Sequence, residues 1–176
     1  THEGVRNATK KALRAAKEAG AVISFDPNLR EPLWNSLDEA KEQVLYGLGL
    51  CDILKISDNE IQWLTGEEDF TKGVHWILER YHIPLILVSM GKEGSRAYYK
   101  DLRVEQPGFK VKAIETTGAG DTFCGCAING VLTYGLDGLD EEKLKEILTY
   151  ANAGAALITM KKGAIRSMPE PENIKE

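Results

Sequence analysis

Cysteine is scarce in this sequence: the 176 residues hold three, Cys51, Cys124 and Cys126. They form an odd set without metal-ligand spacing. Cys124 and Cys126 lie two apart in a helical pattern, so their side chains diverge. They are expected to be small apolar helix residues rather than a redox pair or a zinc site, and a reduced, cytosolic compartment follows as the expectation. Excess positive charge is also missing. With a net charge of −5 and no basic run, neither nucleic acid nor an anionic membrane is expected as the main partner. No apolar stretch approaches the roughly 20 residues of a membrane span, and no signal peptide is expected. No Gly-Lys-Ser/Thr closes a glycine loop and no Gly-x-Gly-x-x-Gly follows the first strand, which excludes a P-loop and a dinucleotide fingerprint. Internal repeats, low-complexity stretches and obvious linkers are absent. The chain opens Thr1-His2-Glu3-Gly4 without a methionine and runs straight into a helical pattern, as expected of a sequence entered part-way.

What is present is strand–helix alternation. Val5, Ala8, Ala12, Leu13 and Ala16 recur at helical spacing over 5–19, with Gly20 as the stop. Residues 21–25 form a short buried strand that ends at Asp26-Pro27-Asn28. Ser36 with Glu39 predicts a capping box for a helix over 37–49. A strand over 52–56, a helix near 58–65 and a helix over 68–81 carrying Val74, Ile77 and Leu78 follow. Residues 84–90 are the most apolar run and predict a third buried strand. Gly91 to Gly94 then turns into two alternating strands at 95–100 and 102–106. Gly118-Ala119-Gly120 opens a helix to about 134, and a last helix spans roughly 140–160. This order predicts an α/β fold with a mainly parallel sheet, built as one domain or the larger part of one.

Thr117-Gly118-Ala119-Gly120-Asp121 carries the most chemical information. Two glycines at a helix start let successive amides converge on one point, where free N–H groups and the positive helix end bind an anion. An aspartate beside that point repels phosphate. Its cost is explained if Asp121 accepts a proton from a hydroxyl attacking phosphorus. The alternative is an ordinary glycine turn with an acid in the first helical turn.

That segment, as Thr117-Gly118-Ala119-Gly120-Asp121-Thr122-Phe123, resembles the C-terminal signature of the ribokinase/PfkB carbohydrate kinases. Four further segments resemble family motifs in the same order: 25–30 (Phe-Asp-Pro-Asn-Leu-Arg), 55–60 (Lys-Ile-Ser-Asp-Asn-Glu), 88–94 (Val-Ser-Met-Gly-Lys-Glu-Gly) and 161–164 (Lys-Lys-Gly-Ala). The resemblance runs over essentially the whole chain. It implies a ribokinase-like three-layer α/β/α fold, of which residues 1–176 are the C-terminal nucleotide-binding portion, with the N-terminal strands and lid missing.

The resemblance also implies roles. Asp121 would be the catalytic base, and the amides of Gly118, Ala119 and Gly120 the anion hole. Ser89, Gly91 and Gly94, with Gly120, would contact the nucleotide phosphates. Asn152 would lie beside the adenine, or would simply satisfy itself on a helix face. Ile158 and Met160 are expected in the core. Glu60 would position Mg²⁺ through water, although Ser57 stands where the family has Asn. Glu115, Thr117, Ile158, Lys161, Gly163 and Ser167 match a monovalent-cation site for K⁺, with Glu115 in place of the commoner Asp. Asn28 and Arg30 would face substrate or phosphate, and Asp26 to Arg30 followed by Pro32-Leu33-Trp34 resembles the fructokinase branch.

The implied activity is ATP-dependent phosphorylation of the primary hydroxyl of fructose. The alternatives are another acceptor (2-keto-3-deoxygluconate, ribose or a nucleoside) or a catalytically silent kinase-like protein with a structural or regulatory role. Any homodimer would form through the family's lid. A portion without the sugar-selecting half is expected to be inactive alone and to expose an apolar sheet edge.

Overall fold

The computed structural model describes residues 2–175, the side chain of Lys175 excepted. Seven α-helices and five strands alternate in the described chain: α1 (Glu3–Glu18), β1 (Ser24–Phe25), α2 (Leu37–Leu48), β2 (Ile53–Ser57), α3 (Asp58–Thr65), α4 (Phe70–Arg80), β3 (Leu85–Ser89), β4 (Ser95–Tyr99), β5 (Leu102–Gln106), α5 (Ala119–Tyr134), α6 (Glu141–Thr159) and α7 (Pro171–Lys175). The strands form one sheet in the order β1-β2-β3-β4-β5. β1 and β2, joined through helix α2, pair in parallel, while β4 and β5, joined by a tight turn, pair antiparallel from Ser95↔Gln106 to Tyr99↔Leu102. The chain divides into two compact units, Thr1–Ile86 and Leu87–Glu176.

In the first unit the helix starts are set by side chains. Ser57 Oγ accepts the Glu60 N–H, and the Glu60 carboxylate returns to the Ser57 N–H, a complete capping box at the head of α3. The box expected at Ser36 is only half formed. Ser36 Oγ accepts the Glu39 N–H, but the Glu39 carboxylate pairs with Arg6 and takes a hydrogen bond from Asn35 Nδ2 at 3.0 Å instead. A full guanidinium charge outcompetes a neutral amide for a carboxylate. Asp69 caps α4 by accepting the Thr71 N–H. Val74 and Ile77 are buried as expected, whereas Leu78 is 38% exposed and faces outward.

The first strand is shorter than its apolar run suggests. Val22 is 58% exposed, and the Ile23 N–H donates to Asp52 Oδ2 at 2.7 Å rather than to a strand carbonyl. The Asp52 carboxylate therefore replaces the first rung of the ladder, and only Ser24 and Phe25 pair regularly with Ile53 and Leu54. α1 is amphipathic, yet none of its residues is buried and Val5 stands open. Its stop is as expected, with Gly20 at φ +69° directly after the cap residue Ala19. Cys51 lies in the core, where burial pushes its thiol up to about 12, the signature of an inert structural cysteine.

In the second unit α5 and α6 cross closely. A Cβ on Gly130 would sit 2.5 Å from Ile147 Cγ1, and one on Gly154 would sit 2.8 Å from Cys126 Sγ. Both glycines are thus required by the crossing rather than by their backbone angles. α6 starts at Asp140, which accepts the Lys143 N–H, and carries Leu144, Ile147, Leu148, Ala151 and Ile158 into the core. No helix among the described residues is long and apolar enough to cross a membrane.

Candidate active site

The second unit holds a cavity of about 610 Å³. Its floor is the end of β3 at Ser89 and the Gly91–Gly94 loop. One wall is the segment Gly108 to Ala113, another is α6 at Asn152, Ala155, Ala156 and Thr159, and the last is the start of α5 at Ala119, Gly120 and Phe123. Ser89, Gly91, Gly94, Gly120 and Asn152, all expected at a nucleotide, meet in this one space.

The Gly91–Gly94 loop closes on itself. The Met90 N–H donates to Gly94 O at 2.9 Å and the Gly94 N–H to Gly91 O at 3.2 Å. Gly94 adopts φ +109°, and a Cβ there would fall 2.1 Å from the Gln106 carbonyl oxygen. Only glycine satisfies both conditions.

At the opposite wall Gly118, at φ +83°, turns the chain into α5. The Thr122 N–H donates to Gly118 O at 2.9 Å and begins the helical ladder. Of the three amides expected in the anion hole, that of Ala119 is spent on Thr116 O at 3.2 Å. Those of Gly118 and Gly120 make no hydrogen bond among the described residues, and neither does that of Asp121. These open N–H groups lie at the positive end of a sixteen-residue helix, an arrangement that favours negative charge. Asp121 lies exposed in the same turn, so its carboxylate is accessible to a reacting group.

Asn152 is only 6% exposed. Its Nδ2 donates to the carbonyls of Gln106 and Pro107, at 3.2 Å each. Its amide hydrogens are thus committed to the protein. Met160, expected in the core with Ile158, is instead exposed, because α6 has ended one residue earlier.

The residues matched to a cation site come from the segment before α5 (Glu115, Thr117), the end of α6 (Ile158) and the loop after it (Lys161, Gly163, Ser167), and their oxygens are largely engaged. Glu115 Oε2 accepts the Gly163 N–H at 3.0 Å. That bond, with the Thr117 hydroxyl next, holds the Glu115 carboxyl below its usual range. The Ile158 carbonyl accepts from Lys161 N, and Ser167 Oγ donates to Lys162 O. Lys161 is exposed. The loop is held by its own hydrogen bonds, and among the described residues no group of three or more His, Cys, Asp or Glu could hold a metal.

The first unit carries a separate polar cluster. Lys55 Nζ lies 3.0 Å from Asp26 Oδ2, with side chains 6% and 17% exposed. Burial pushes the Asp26 carboxyl up, opposed by Lys55, and the nearby Glu60 adds to the rise. Glu60 is saturated locally: Oε2 accepts the Ser57 N–H and hydroxyl, and Oε1 accepts the Leu29 N–H at 2.8 Å. It therefore clasps the 26–30 loop to the head of α3, with Ser57 standing in as the helix cap. Asn28, at φ +43°, donates its N–H to Asp26 Oδ1. The exposed Arg30 donates to the carbonyls of Asn28 and Leu29, so the loop presents its guanidinium at the surface.

Sequence reasoning missed the Phe109–Val111 wall. Its signal was readable: a Pro107-Gly108 turn followed by Phe109-Lys110-Val111, whose apolar side chains stay exposed and so mark a surface kept open for contact.

These features coincide with known proteins. The pfkB family carbohydrate kinase profile matches residues 2–171. Fructokinase-1 of Zea mays is 42% identical over 167 residues, covering 95% of this chain and 52% of that protein. The chain spans about half the length of the curated relatives it matches. The crystal structure of fructokinase from Vibrio cholerae O395 in its fructose-, ADP- and calcium-bound form aligns with a TM-score of 0.91 at 32% identity, covering 99% of this chain and 56% of that one. Aminoimidazole riboside kinase from Salmonella enterica, complexed with aminoimidazole riboside and an ATP analog, aligns at 0.86 and 28% identity, covering 99% and 58%. The architecture is accordingly the ribokinase-like α/β/α fold with a mostly parallel sheet. With the glycine loop, the open helix N-terminus and the family profile in agreement, this chain belongs to the pfkB family of carbohydrate kinases.

Proposed function

We propose that this chain supplies the phosphoryl-transfer half of an ATP-dependent fructokinase. The observation that carries the reading is the open Gly120 amide at the edge of the cavity floored by the Gly91–Gly94 loop, with the open Gly118 amide and the exposed Asp121 in the same helix start. The nucleotide would lie in that cavity, its base against Phe109, Val111 and the alanines of α6 and its phosphates over the glycine loop. Asp121 takes the proton of the acceptor's primary hydroxyl as that oxygen attacks the γ-phosphorus and ADP leaves. The open amides meet the charge on the transferring group, and because they are already aimed, little reorganisation opposes the step. Mg²⁺, if bound with the nucleotide, would supply neutralisation of phosphate charge. The saturated Glu60 fits a loop-positioning role better than a metal ligand, in keeping with the way Mg²⁺ retains water and phosphate oxygens.

Fructose is favoured as acceptor because the plant and bacterial fructokinases are the more similar relatives by identity. The test is a panel of fructose, ribose, 2-keto-3-deoxygluconate and a nucleoside, assayed with ATP and a full-length protein carrying this segment. Fructose should be used with the highest kcat/KM, giving fructose 6-phosphate. Turnover of the keto acid without turnover of fructose would replace the acceptor, and no turnover of any would favour a silent, structural role.

A further inference from the structure

The glycine loop that floors the cavity is not held by its own hydrogen bonds alone. Gly94 rests on the carbonyl of Gln106, which a Cβ at that position would overlap at 2.1 Å, and Gly108 rests against Lys92, with a Cβ there 2.5 Å from the Lys92 carbonyl oxygen. The Gly108 N–H donates to Glu93 O at 3.3 Å. The loop is thus supported by the backbone of Gln106 to Gly108, the stretch where β5 ends. Two carbonyls of that stretch, those of Gln106 and Pro107, point to a single side-chain nitrogen, Asn152 Nδ2 on α6.

From this geometry we infer that Asn152 is a positioning residue: it fixes the Gln106–Gly108 strut from α6 and through it the height of the Gly91–Gly94 loop. With its hydrogens given to two protein carbonyls, its amide has no donor left for a ligand. Its burial makes those two bonds costly to lose, since both carbonyls would be left short of partners beside an apolar wall. Any ligand group lying on the glycine loop is then sensitive to Asn152 without touching it. The consequence for ligand binding rests on the nucleotide reading above, in which phosphates lie on that loop.

Two measurements on a full-length protein carrying this segment separate the possibilities, using Asn152→Ala and the milder Asn152→Ser, which keeps one donor. Amide hydrogen exchange without ligand should speed up at Gly94 and Gly108 on the order of tenfold in Asn152→Ala and less in Asn152→Ser. Amides in the middle of α6 should stay unchanged, which reports an intact fold. Unchanged exchange at Gly94 and Gly108 would overturn the inference whatever the protein binds. In ligand titrations, Asn152→Ala should weaken ADP by about 10- to 100-fold while adenosine changes less than about twofold, because the loop meets phosphates and not the base. Equal losses for adenosine and ADP would mean that Asn152 contacts the base directly, and would also overturn the inference. Faster exchange in a protein that binds neither compound would uphold the strut and remove the nucleotide reading alone.

Discussion

Replacing Asp121 by Asn in a full-length protein carrying this segment is expected to lower kcat roughly 10²- to 10⁴-fold, the usual contribution of a positioned general base. The substitution keeps the size of the side chain and its place in the first turn of α5. It removes the negative charge proposed to accept the hydroxyl proton. Binding of ATP should be retained or slightly tightened, because a carboxylate beside an anion site opposes phosphate. The effect should therefore appear in kcat rather than in KM for ATP, the pattern of an interaction made in the transition state. Steady-state kinetics with fructose and ATP test it, and retention of most of the activity would remove Asp121 from the role of base.

The second large effect concerns stability. Lys55→Met is expected to destabilise the fold by about 3–5 kcal/mol near neutral pH, as breaking a buried ion pair from one side does. The asymmetry of the pair decides which side matters more. Burial already pushes the Asp26 carboxyl up against the pull of Lys55, so an ionised Asp26 without Lys55 is the costlier orphan. Asp26→Asn removes the buried negative charge and keeps an oxygen that can accept from Lys55 and from the Asn28 N–H. Asp26→Asn should thus cost less than Lys55→Met, and the double variant should recover most of the loss.

The pH dependence has a definite sign. Burial raises the folded-state affinity of Asp26 for its proton. Its contribution is therefore fully present below the unfolded-state value and is lost as pH rises through the higher folded value. Lys55 opposes that rise. Lys55→Met removes the opposition, so its deficit against the parent should grow as pH climbs above the ordinary carboxylate range. Denaturant unfolding of the three variants across pH 4–7 measures both effects. Equal losses for the two single variants, without recovery in the double, would show that the pair does not act as a unit.

Several parts of this architecture were written plainly in the sequence. The helix from Asp58 to Thr65 is announced by a serine and a glutamate three residues apart, and Leu85–Ser89 by an unbroken apolar run. Gly118 to Asp121 announces a helix start. What escaped depends on partners distant in the chain. Asp52 takes over the backbone of Ile23 and shortens the first strand, and Arg6 diverts Glu39 from its box. The Ala119 amide is lost to the carbonyl of Thr116, a turn detail that residue types alone do not encode. The same holds for Asn152, whose two carbonyl acceptors lie more than forty residues away. Local propensity reaches the elements, but side chains that satisfy remote backbone groups are visible only once the chain has folded.

The most direct test of the nucleotide-site account is a titration of isotope-labelled full-length protein with a non-hydrolysable ATP analogue that keeps the γ-phosphate, followed at its backbone amides. The account predicts saturable shifts at Gly91, Gly94, Gly118, Gly120 and Asp121, with the Ala119 amide, already bonded to Thr116, moving least of the helix-start group. The absence of any shift at Gly118 and Gly120 when the analogue saturates the protein would contradict it.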